Sequence, residues 1–129
     1  MPTDDKSAAK TAKTKAKGAA AVLARIGEMP PPFAEIGKRL HDIIMAGAPD
    51  LTPRVRYGMP WYMKDGKSWC FFRFAKGFDF LTFGFDDPAV LTGYEGASPD
   101  ILASAYRITG LDAAAEAKLS AILRHASGA

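Results

Sequence analysis

Apolar residues at Phe33, Ile36, Leu40, Ile43 and Ile44 recur every three or four positions and make one stripe. Glu35, Lys38, Arg39 and Asp42 take the other side, so the segment reads as an amphipathic helix with one face to bury. Pro32 suits the first turn, where its missing N–H costs nothing. Gly47 supplies a C-terminal cap and Pro49 prevents continuation. A second stripe, Ala115, Leu119, Ile122, Leu123 and Ala126, follows Asp112, a suitable N-cap, and predicts a closing helix.

Between the helices the period falls to two. "RVRYG" alternates from residue 54 and runs into "MPWYM" at 59–63. Asp65-Gly66 is the strongest short hairpin signal, because both residues tolerate the positive φ of a tight turn. "SWCFFRFA" at 68–75 is aromatic-rich, as strands prefer. Lys76-Gly77 reads as the next turn, and "FDFLTFGF" at 78–85 as the returning strand. "SAYRITG" at 104–110 predicts one more strand. Residues 88–103 carry no clear period, although Ser98-Pro99 can cap a short helix. The expected fold is α+β: an antiparallel sheet, meander plus a further strand, packed by an N-terminal and a C-terminal helix.

The opening "MPTDDKSAAKTAKTKAKGAAA" has no apolar period, and residues 1–18 read as a disordered basic tail. Residues 19–129 then form a single domain, beginning with a helical turn over 19–29 that "PPP" ends. Residues 1–17 hold five lysines and two aspartates, a surplus equal to the whole net charge of +3. The domain itself is neutral, so no domain-wide basic field draws in phosphate backbones. Nucleic acid enters only as a weak partner of the tail. No apolar run approaches the ~20 residues of a membrane span, and none resembles a signal-peptide core. The single cysteine, Cys70, precludes a disulfide within the chain, and the expected location is the cytoplasm.

"KGFDFLTF" at 76–83 matches an RNA-binding strand signature at most positions, but Asp79 stands where Gly or Ala is required. A helix and hairpins precede it, where an RNA-recognition domain has a strand and a helix. Alternation puts Phe78 and Phe80 on one face and Leu81, Phe83 and Phe85 on the other. Two apolar faces suggest a core strand covered by helices, on which bases cannot stack.

Catalytic constellations are lacking. Cys70 lies mid-strand among aromatics, and His41 and His125 fall in predicted helices. There is no G-x-S-x-G, no phosphate-cradling glycine loop and no Cys-x-x-Cys. Asp79, Asp86 and Asp87 offer hard oxygen ligands, though adjacent carboxylates also suit a solvated turn. The distinctive stretch is "RYGMPWY" at 56–62. Gly58 lets the backbone bend, and Pro60 cannot donate to a ladder, so a kink is expected. A pocket rim at that kink would draw on Tyr57, Gly58, Met59, Pro60, Trp61 and Tyr62, with two hydroxyls over apolar walls.

"YGMPWY", a Gly-turn hairpin, and a strand with Lys76 before "FLTFGF" together resemble the YdhG-like domain family, many of whose members are domains of unknown function. The likeness runs from about Pro31 to Ala126. It implies a small α+β domain with a helix-covered sheet, and adds Lys76 to the candidate ligand-binding residues. Some relatives carry a frataxin-like, iron-chaperone label, which makes iron the alternative cofactor and Asp79, Asp86 and Asp87 its ligands. The expected function is a non-enzymatic module binding a small molecule or a protein. No cofactor is expected under that leading reading.

Overall fold

The computed structural model describes residues 2–86, 89, 100, 101 and 103–127. Three helices and five strands follow in order. They are α1 (Pro2–Gly27), α2 (Phe33–Gly47), β1 (Thr52–Arg56), β2 (Met59–Lys64), β3 (Lys67–Phe74), β4 (Leu81–Phe85), β5 (Ala105–Ile108) and α3 (Ala113–Ala126). The strands form one antiparallel sheet in the order β1-β2-β3-β4-β5, an unbroken meander. The α+β class and the flanking helices are those expected.

Both amphipathic helices form where their stripes demand. Phe33, Leu40, Ile43 and Ile44 are buried along α2, and Leu119, Ile122, Leu123 and Ala126 along α3. The Asp112 carboxylate accepts from the Ala115 N–H at 2.8 Å, capping α3. An exposed ion pair, Arg39 with Glu116, joins α2 to α3. The α2 chain ends one residue beyond Gly47, with the Ala48 N–H closing on the Ile44 carbonyl.

Helix α1 spans the residues expected to be a disordered tail. Alanine and lysine are both good helix formers, so the segment has helix propensity without an apolar period. Toward its end, Val22 and Ile26 reach the core. Helix α1 lies along β1, so closely that a Cβ on Gly18 would stand 1.9 Å from the Pro53 carbonyl oxygen. It thereby covers the outer edge of the sheet.

Two sequence expectations are corrected at the strands. The kinked strand across 54–62 is a hairpin: Tyr57 and Gly58 both have positive φ, 53° and 72°, and separate β1 from β2. Tyrosine is an unusual resident of that region, which is why the turn is invisible next to Asp65-Gly66, whose φ values are 52° and 77°. The returning strand begins at Leu81, not Phe78. Ala75–Phe80 form a loop in which Gly77 has φ +92° and the Phe78 N–H reaches the Ala75 carbonyl. Residues 87, 88, 90–99 and 102, including Asp87 and the Ser98-Pro99 cap, lie outside the described residues.

The register divides the sheet into two unlike faces. Pro53, Tyr62, Cys70, Phe72, Leu81, Phe83, Phe85 and Ile108 share the face that meets the helices, and all are buried. Trp69 joins them through a bulge at Tyr62/Met63, and its ring meets Phe85 edge-on at 5.4 Å. The opposite face carries Arg54, Arg56, Met59, Trp61, Phe71, Arg73, Thr82, Gly84, Ala105 and Arg107. The expectation of two apolar, helix-covered faces therefore fails. Among the described residues, helices bury one face only.

Candidate functional site

The β1–β2 hairpin builds one wall of a cleft. Its turn turns the Gly58 carbonyl toward α1, where Arg25 Nε donates to it at 2.7 Å. Arg56 pairs with Met59 beside the two-residue turn, so Val55 and Pro60 form a pair without hydrogen bonds between them. The nitrogen of Pro60 thus points away from β1, toward a side where pairing with β3 begins only at Trp61. No ladder bond is lost, which is how a proline fits a strand that is central further along.

The cleft has a volume of about 500 Å³ and lies over this end of the sheet. Met29 and Pro30 after α1, Met59 and Pro60 of β2, and Phe74 of β3 give it apolar walls. Arg25 and Glu28 close one side, paired with each other. Arg73 and Lys76 close the other, with no hydrogen-bond or ion-pair partner among the described residues. The result is an apolar floor beneath two uncommitted cations, an arrangement suited to an anionic group carried on an apolar body.

The sequence candidates fall into three places. Gly58, Met59, Pro60 and Lys76 are brought together in this cleft. Tyr57 and Trp61 do not line it. Tyr57 is 82% exposed. Trp61 stacks on Phe71 at 4.8 Å between centroids, and its Nε1 donates to the Arg56 carbonyl at 2.9 Å. Tyr62 is in neither place. It is fully buried and shares a 2.7 Å hydrogen bond with His41 Nδ1. Strand alternation separates it from its neighbour: Trp61 and Tyr62 must face opposite ways. Burial raises the Tyr62 hydroxyl far above its ordinary range and lowers the His41 imidazole, against a small opposing pull from Asp42. Neither is placed to meet a ligand.

Sequence reasoning missed Arg25, Glu28, Met29, Pro30, Arg73 and Phe74. Arg73 was within reach of it, since alternation sets it opposite the buried Phe72. Arg25 had no sequence signal, because only the path of α1 carries it to Gly58.

Other chemistries find little footing. Cys70 is buried, and desolvation, helped by Asp86, pushes its thiol well above the ordinary value. A thiol held neutral in this way is a poor nucleophile. Asp79 and Asp86 stand on either side of β4, roughly 20 Å apart at ~3.3 Å per residue, too far to share an ion. Asp86 accepts the Ser68 hydroxyl. Among the described residues no group of three or more His, Cys, Asp or Glu could hold a metal. None of the helices described there is long and apolar enough to cross a membrane. Comparison of the chain with protein-family models, with curated proteins and with solved structures finds no match.

Proposed function

We propose that this chain is a YdhG-like, non-enzymatic binding module that takes a small organic anion in the cleft beside Gly58. The observation that carries the reading is the convergence of Arg73 and Lys76, both unpaired among the described residues, on walls made by Met59, Pro60 and Phe74. An anion there would gain charge-assisted hydrogen bonds, while an attached ring or chain would lie on the apolar floor. Cytoplasmic location belongs to the same reading, supported by the lone, buried Cys70. The iron-chaperone alternative draws no support from Asp79 and Asp86, which stand apart.

Thermal-shift and calorimetric titrations with phenyl phosphate, benzoate, citrate and inorganic phosphate test this directly. At least one of the two aromatic anions should stabilise the protein and outbind inorganic phosphate. Lys76→Ala and Arg73→Ala should each weaken that binding by about tenfold, the scale of one hydrogen bond to a charged group. Silence across the set, or binding indifferent to both substitutions, would overturn the assignment.

A further inference from the structure

The sheet face turned away from the helices is organised in two adjacent rows that cross the strands. One row reads Arg54, Trp61, Phe71, Gly84 and Ala105, each opposite the next in register. The neighbouring row holds Arg56 opposite Met59, and then Arg73, Thr82 and Arg107 in register. None of these residues is acidic, and four are arginines. The nearest carboxylates along the chain are Asp86, two residues past Gly84 and already accepting the Ser68 hydroxyl, and Asp65 and Asp79, which sit in turns at the rim.

The aromatic row is shaped for flat contact. Gly84 has no side chain, and the Phe71 ring occupies that space: a Cβ on Gly84 would stand 2.7 Å from Phe71 Cζ. Phe71 thus leans across Gly84, and Trp61 stacks on it, 4.8 Å between centroids at an interplanar angle of 29°. Ala105, exposed among the described residues, continues the row. The cations already stand against rings: the Arg56 guanidinium is 5.4 Å from the Trp61 centroid, and that of Arg107 is 4.5 Å from Phe80. Arg54, Arg73 and Arg107 are exposed.

We propose that this open face binds single-stranded nucleic acid, with Trp61 and Phe71 as the stacking platform and Arg54, Arg56, Arg73 and Arg107 on the phosphates. Charge complementarity selects the partner. A face with four arginines against one carboxylate at its margin, Asp86, which already accepts the Ser68 hydroxyl, and with a central aromatic pair, offers both parts of single-strand recognition, a basic track and rings for bases. At ~4.8 Å per strand interval, five strands make a track roughly 19 Å across, wider than the four-stranded sheets that stack two or three bases. A duplex keeps its bases stacked inside and gains nothing from the aromatic pair. Lys17 adds positive charge at one margin, where α1 and Arg54 line a common groove.

Fluorescence anisotropy tests the proposal on the full chain with labelled oligo-dT of about 15 nucleotides, and with the same strand in a dT·dA duplex. The single strand should bind more tightly than the duplex. Phe71→Leu, which keeps an apolar cover over Gly84, should weaken single-strand binding by about tenfold. The exposed pair Arg54→Gln with Arg107→Gln leaves the core untouched and should flatten the salt dependence by about 1.4 in log–log slope, at ~0.7 per phosphate. A third variant carries Gln at Lys6, Lys10, Lys13, Lys15 and Lys17 and must still depend on Phe71. Equal binding of duplex, or unchanged binding in both the Phe71 and arginine variants, overturns the proposal. So does binding abolished by the lysine changes alone, which would assign it to α1, or displacement as effective by poly-glutamate, which would mark a general polyanion surface. These variants avoid Lys76 and Arg73, so the result is separable from that at the anion cleft.

Discussion

His41 and Tyr62 meet in the core across 2.7 Å, linking α2 to β2. The buried imidazole resists protonation because its charged form would lose solvation. Unfolded, the same group titrates near its ordinary value of about 6.5. Below that pH the unfolded chain takes up a proton that the folded one declines, so the unfolded state gains. His41 therefore leaves stability unchanged above about pH 6.5 and erodes it as pH falls from there to the lowered folded value. Urea midpoints measured down from about pH 7.5 should decline through this window. His41→Gln, which retains a hydrogen-bonding side chain without the titration, should show a shallower decline. An identical profile would remove His41 as the cause. Tyr62 itself was legible only in part: alternation separates it from Trp61, but which of the two faces inward depends on where the helices lie.

At the scale of elements, α2 and α3 were readable because each carries a long stripe and a local terminus signal. The α1 helix was not, since its contact with the core comes from Val22 and Ile26 alone and its close approach to β1 leaves no periodic mark. Gly18 lets this approach happen. Alanine there would raise helix propensity by about 1 kcal/mol, which by itself stabilises. The added Cβ would also stand 1.9 Å from a backbone oxygen, which cannot rotate away. Displacing α1 outweighs the propensity gain, and Gly18→Ala should lower stability by about 1–3 kcal/mol in urea denaturation. Gly27→Ala serves as the contrast, because nothing lies within 4 Å of its Cβ position and no such loss should follow. A stabilised Gly18→Ala protein would show that α1 does not pack on Pro53. The β1–β2 hairpin was hidden for a different reason. Its turn places a tyrosine at positive φ, so tertiary contacts such as Arg25 to the Gly58 carbonyl supplement a weak local signal.

Across the whole molecule, one layer of helices closes one face of the sheet, and Cys70 lies between them with no exposure. Its thiol is both shielded and held neutral, so its modification requires the layers to part. Native protein should leave an aromatic disulfide reagent unreduced over the time in which urea-unfolded protein reacts with one equivalent. Prompt reaction of the native thiol would show local opening between β2 and β3. The other face stays outside this core, and its chemistry is the reverse: arginines around an aromatic pair. Rejecting "KGFDFLTF" as a base-stacking strand was sound for Leu81, Phe83 and Phe85, which are buried. The aromatic pair on the other face is Trp61 and Phe71, half-buried and stacked on each other, on strands further back.

The sequence by itself determined the class of fold, the two amphipathic helices, the Asp65-Gly66 hairpin and the Asp112 cap. All are consequences of local periodicity or backbone preference, which neighbouring residues suffice to express. Only the tertiary structure decided that "YGMPWY" is shared between a cleft, a core and an open face. Cross-strand register and the path of α1 bring Arg25, Arg73 and Lys76 to one end of the sheet and leave Trp61 outside that cleft. Such partners are distant along the chain, and no local pattern records them.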